Sequence, residues 1–251
     1  MVLSLVGIVA IVWLAATGQL GLYIHPRYFE FTVVMAVLAG VAVIAAFAVV
    51  PGAPDDDGHG HDHDGDEHEP SGERPRGRSW LWGAVTALVI VGTVAALLVL
   101  PPATLTSATV DQRELNASAA VADPGTTEQL VGSDTTSFTV KDWASLLRQG
   151  AGEEYFAGKT ADITGFVTPD PDDPENVFYI ARFVVTCCAV DAQPVGVPVF
   201  LPDWQSEYAV DSWVTGTGGF GPNPSVSSGQ AIVFEPADLA PTEQPAEPYV
   251  Y

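Results

Sequence analysis

Residues 158–188 read GKTADITGFVTPDPDDPENVFYIARFVVTCC, and the parsing of this stretch decides the organisation of the C-terminal half. "GKTADITGFVT" alternates in polarity and is rich in β-formers, so it is a strand. "TPDPDDPEN" is packed with Pro and Asp and reads as a turn. "VFYIARFVVT" is a long second strand with Arg182 in its middle. Downstream, "VGVPVFLP", "SWVTGTGGF" and "QAIVFEP" read as three shorter strands. Upstream, "SFTVKDWASLLRQG" puts Trp143, Leu146 and Leu147 at helical spacing, with Gly150 as the C-terminal stop. Five short, glycine-punctuated strands behind one helix predict a small soluble OB-like β-barrel over residues 137–236, with a β-sandwich as the alternative. Residues 101–136, rich in Ala, Thr, Ser and Asp, read as a tether. Residues 237–251, rich in Pro and Glu, read as a flexible tail.

The chain has 251 residues, a net charge of −22 and a positive mean hydropathy of +0.23. Segregation reconciles the last two. Residues 101–251 hold 21 acidic against 5 basic side chains, a surplus that keeps this part soluble and argues against nucleic acid as a partner. The apolar residues gather earlier. Met1–Ile24, Phe31–Val50 and Trp80–Leu100 carry no charged side chain, and each is near the ~20 residues that span ~30 Å of hydrocarbon. The expected fold class is therefore membrane α plus all-β. Two transmembrane helices occupy 1–50, a loop 51–79, and a third transmembrane helix 80–100, so the lipid bilayer is itself a partner. A cleaved signal peptide is the rival reading of the first segment, though it lacks a basic n-region. Arg74, Arg76 and Arg78 flank the third helix, whereas the first loop carries only Arg27. The positive-inside rule then places the N-terminus and the 51–79 loop in the cytoplasm and the C-terminal domain outside a multi-pass cell-membrane protein.

The loop contains "DDDGHGHDHDGDEHEP" at residues 55–70, with His59, His61, His63 and His68 among dense carboxylates and no apolar residue. Such a segment has nothing to bury and reads as disordered. Imidazole with carboxylate is a ligand set for zinc or another divalent metal, and a solvated acidic linker is the bland alternative.

Cys187 and Cys188 are the only cysteines. Four readings stay open: two buried thiols, a vicinal disulfide, a thiolate metal site with Asp191, and pairing with another chain. A vicinal disulfide is strained, because a trans peptide fixes the Cα atoms at ~3.8 Å while disulfides favour ~4.4–6.8 Å. Both sulfurs reach one ligand only if the chain leaves strand geometry at residue 187, since successive strand side chains point to opposite faces. The metal reading has a gap of its own, for residues 101–251 contain no histidine. Arg182 is either an outward-facing strand residue or a cation that lowers a thiol pKa or pairs with Asp191. His25, beside Pro26 and Arg27, reads as an interfacial residue. No nucleophile–base pair, phosphate loop or HExxH motif is present, so enzyme activity is not expected.

"GQLGLYIHPRYFEF" at 18–31, the His-rich loop before the third apolar segment, and "GKTADITGFV…FYIARFVVTCCAVDAQPVGVPV" in the C-terminal half together resemble the YcgQ-type family of bacterial membrane permease subunits. Arg182, Cys187, Cys188, Asp191, Ala192 and Gln193 match the family's motif. The resemblance implies a larger multi-pass membrane permease as partner. The expected function is then a non-catalytic, membrane-anchored accessory subunit linked to divalent metal handling, zinc above all. The alternative is an extracytoplasmic thiol–disulfide or redox-sensing protein using the vicinal cysteines. A ligand-free anchor is a third reading.

Overall fold

A computed structural model describes residues 2–49, 77–99, 104–117 and 135–251 of the chain. The chain forms two compact units, one of residues 1–20 with 28–102, the other of residues 21–27 with 103–251.

The first unit contains helices α1 (Val2–Ala16), α2 (Phe29–Val49) and α3 (Gly77–Val99). One stretch among the described residues, Pro26–Ala46, is long and apolar enough to cross a membrane, and its position near the N-terminus fits an anchor or a signal sequence. The three transmembrane helices expected from the sequence are corrected on this point. Helix α1 has 15 residues, a rise of about 22 Å against the ~30 Å of a hydrocarbon core. It stops because Thr17 turns its hydroxyl back onto the Trp13 carbonyl at 3.0 Å and Gly18 enters the left-handed region at φ 74°. The apolar residues that follow are spent in a 3-10 turn, Gln19–Leu22, rather than in more helix. In α3 the apolar run among the described residues is only Ala87–Ala96.

The second unit carries helices α4 (Ser107–Val110), α5 (Val140–Arg148) and α6 (Glu153–Phe156). Six strands follow: β1 (Ala161–Pro169), β2 (Val177–Val184), β3 (Gln193–Phe200), β4 (Trp213–Pro222), β5 (Ile232–Thr242) and β6 (Tyr249–Val250). They form one sheet in the order β1-β4-β5-β3-β2-β6, with β1 also paired to β2. The pairings β3–β5 and β2–β6 are parallel and the others antiparallel. The expected five-stranded OB-like barrel is thus corrected to a six-stranded mixed sheet. Its sixth strand comes from the segment read as a tail, where two strand residues are too few to show a period. Part of the tether is structured as well. Asn116, at φ 56°, donates through Nδ2 to the Gly196 carbonyl and accepts the Gly196 N–H through Oδ1.

Strand β2 is buried on both faces, which is why it reads as a nearly unbroken apolar run. Phe178, Ile180 and Val184 face a core shared with Trp143 of α5, Phe156 of α6 and Phe234 of β5. Tyr179, Ala181, Phe183 and then Val185 face a second core with Phe166, Ala192 and Tyr249. Strand β1 lies close over β2 at Gly165, where an added Cβ would come within 2.4 Å of the Ala181 carbonyl oxygen. The DPDDPEN turn before β2 is held by Asp170, whose Oδ1 accepts the N–H groups of Asp172 and Asp173 at 2.7 and 3.1 Å. Strands β2 and β3 pair from Val177↔Phe200 to Val184↔Gln193, so residues 185–192 form their connecting loop. Both cysteines sit on it.

Candidate metal centre

The loop departs from strand geometry through one carboxylate. Asp191 ends a 3-10 turn, Ala189–Asp191, and its side chain reaches back over the loop. Its Oδ1 accepts the Thr186 N–H at 3.1 Å, and its Oδ2 accepts those of Cys187 and Cys188 at 2.7 and 3.3 Å. Three successive amides that left the β2 ladder are thereby satisfied. The loop ends are anchored by Val185 and Ala192, at 2% and 0% exposure. The loop crest is open: Cys187 is exposed and Cys188 half-exposed, both as free thiols.

The two sulfurs and an Asp191 oxygen lie within 4.8 Å of one another, a grouping that could hold a metal ion. Two thiolates and a carboxylate are donors that zinc takes in four-coordinate sites. The carboxylate retains lone-pair capacity beyond its backbone bonds. At the loop, partial burial, the Cys188 thiol and the Asp191 carboxylate hold the Cys187 thiol above its ordinary pKa, and Arg27 pulls it the other way.

Residues 21–27 lie against this loop. Ala189 donates its N–H to the Tyr23 carbonyl at 2.8 Å and His25 donates its N–H to the Cys187 carbonyl at 3.0 Å. These bonds bracket an antiparallel bridge, Ile24↔Cys188. The Arg27 guanidinium donates to the Thr186 carbonyl at 3.1 Å, and Arg113 to that of Val190 at 3.0 Å. The His25 ring rests against Tyr251 with centroids 4.6 Å apart. Its Nδ1 accepts the Arg27 N–H at 3.1 Å. Burial first, and Arg27 second, hold its imidazole below the ordinary pKa, while Asp191 opposes them.

Of the residues singled out in the sequence, Cys187, Cys188 and Asp191 meet. Arg182 is engaged elsewhere. Its guanidinium donates to the Glu247 carbonyl at 2.9 Å and lies 5.5 Å from the Trp213 ring centre, so it ties β2 to the C-terminal segment and β4. The cation beside the thiols is Arg27. His59, His61, His63 and His68 lie outside the described residues. Sequence reasoning did not link His25 and Arg27 to the cysteines, because no local pattern joins positions about 160 apart. The one available signal was a polar His-Pro-Arg triplet in an otherwise apolar region.

Residues 1–116 match the DUF1980 N-terminal domain and residues 119–251 the DUF1980 C-terminal domain. The chain belongs to the DUF1980 family. No curated protein and no solved structure matches it. The thiol loop and its Asp191 lie in the DUF1980 C-terminal domain, while His25 and Arg27 come from the N-terminal one.

Proposed function

We propose that this chain is a non-catalytic, membrane-anchored accessory subunit of a multi-pass permease of the YcgQ type, and that the system handles a divalent metal, zinc first. The observation that carries the reading is the approach of Sγ of Cys187, Sγ of Cys188 and an Asp191 oxygen to within 4.8 Å on an open loop. Soft thiolates select zinc or copper(I) over magnesium or calcium. Accessibility at the crest suits a site that receives and releases an ion. His59, His61, His63 and His68 would supply a second, weaker metal-capturing segment.

The apolar stretch Pro26–Ala46 supports membrane anchoring. The arginines at 74, 76 and 78 favour a cytoplasmic 51–79 loop and an external C-terminal domain. The redox alternative would use the same two cysteines, which stand as free thiols.

Elemental analysis with thiol counting tests the reading on three proteins: the intact chain, a form lacking residues 55–69, and the Cys187→Ser/Cys188→Ser form. Zinc that is lost with the cysteines is expected. Absence of metal from the intact protein after growth and purification in zinc overturns the metal reading, and absence of free thiols as well turns it to a vicinal disulfide.

A further inference from the structure

Three donors leave a zinc ion one ligand short of a closed tetrahedral site. Among the described residues there is one imidazole, His25, and the backbone brings it to the thiol loop. We infer that His25 is the fourth ligand of the Cys187–Cys188–Asp191 centre, so that a bound divalent metal cross-links residues 21–27 to the β2–β3 loop. The inference rests on the metal reading of that loop.

The register carries the argument. In an antiparallel pair the bonds from Ala189 to Tyr23 and from His25 to Cys187 bracket Ile24↔Cys188 as the non-hydrogen-bonded pair. One step along, His25 therefore stands directly opposite Cys187. Directly opposed residues share a face with Cβ atoms about 5 Å apart. The Asp191 Oδ2 accepts the Cys187 N–H at 2.7 Å, so this carboxylate stands at the residue opposite His25. Tyr251 backs the imidazole and limits the directions in which it can turn.

Ligation requires a local change. The imidazole must turn until a ring nitrogen stands at ~2.0–2.1 Å from the ion. Coordination through Nε2 puts the proton on Nδ1 and ends its acceptance of the Arg27 N–H. That bond is exposed, so water replaces it at small cost. The backbone bonds from His25 and Ala189 are untouched by the rotation. The metal thus adds a ligand bond to a docking that already exists. Residues 21–25 lead directly into the apolar stretch Pro26–Ala46.

Cobalt(II) is the probe, bound to the full-length protein in detergent. Thiolate-to-cobalt charge transfer reports the cysteine pair, and intense visible d–d bands report four-coordinate geometry. The expected result is both signals in the native protein. In His25→Gln the charge transfer persists, the d–d intensity falls, and zinc affinity weakens at least about tenfold. His25→Cys, which restores a ligand, recovers both. A second measurement leaves His25 in place. In the form lacking residues 55–69 it is the only histidine, so pulsed EPR of the cobalt form labelled with 15N-histidine should show nitrogen coupling to the ion. Charge transfer without nitrogen coupling, or His25→Gln with unchanged bands and affinity, overturns the fourth ligand and leaves the thiol site standing. Absence of charge transfer in the native protein overturns the metal reading and this inference together.

Discussion

Asp191 does two jobs with one carboxylate. It shapes the loop by accepting three successive backbone N–H groups, and it stands within reach of both sulfurs. Asp191→Ala leaves those amides without their acceptor. The expected cost is about 1–2 kcal/mol, by analogy with loss of a helix cap, read as a lower midpoint in urea with an unchanged slope. A midpoint equal to that of the native protein would show that water replaces the carboxylate without loss. Arg27 acts on the thiol as well as on the loop, whose Thr186 carbonyl accepts from its guanidinium. It is the one cause that lowers the Cys187 pKa against several that raise it. In Arg27→Gln the pH midpoint of Cys187 alkylation, measured in Cys188→Ser, should therefore move upward. An unchanged midpoint would mean that the thiolate is stabilised by something other than this guanidinium.

At the scale of elements, the turns are held by acidic side chains rather than by the apolar pattern, and this sets their response to acid. In the turn before β2, the Ser225 hydroxyl first, and Asn176 after it, hold the Asp173 carboxyl below its ordinary pKa of 3.8. A depressed carboxyl stabilises the fold above the unfolded value, and that contribution is lost as pH falls through the folded value. The difference in stability between the native protein and Ser225→Ala should accordingly be present at neutral pH and shrink below about pH 4, the unfolded value. A difference that is constant from pH 7 to pH 2.5 would remove this hydroxyl from the linkage. The same elements show what was legible in the chain. The strands β1 and β2 and the turn between them stand in the sequence because their period and their Pro-Asp punctuation are local. The helix α5 stands there for the same reason, through Trp143, Leu146 and Leu147. The stop of α1 at Ala16 was not legible, since hydropathy counts apolar residues without asking where the helix ends. Cys187, Cys188 and Asp191 fall within five positions and were found together. His25 and Arg27 reach the same loop only through tertiary pairing, which no periodicity encodes.

Within the second unit, residues 21–27 and the C-terminal segment both converge on the β2–β3 loop. Residues 21–27 dock on its crest, while the C-terminal strand β6 pairs in parallel beside β2 at Phe183↔Tyr249 and Val184↔Val250. Val185 donates its N–H to the Val250 carbonyl at 3.1 Å, at the first residue of the loop. Tyr249, 4% exposed, completes the second core with Phe166 and Phe183, and its hydroxyl accepts the Leu105 N–H at 3.4 Å. Tyr251 backs His25. The final three residues therefore couple packing to the candidate centre. Two variants separate those roles. Tyr249→Ala empties an aromatic position in the core and should cost about 3–5 kcal/mol, as buried aromatic truncations do, seen as a drop in Tm. Tyr251→Ala removes only the ring behind His25 from an exposed position. It should leave Tm nearly unchanged and weaken zinc binding, because His25 then loses orientation before it meets the ion. A Tyr251→Ala protein with native zinc affinity would show that the backbone bond from His25 to Cys187 alone positions the imidazole. A Tyr249→Ala protein with native Tm would show that β6 adds nothing to the sheet it borders.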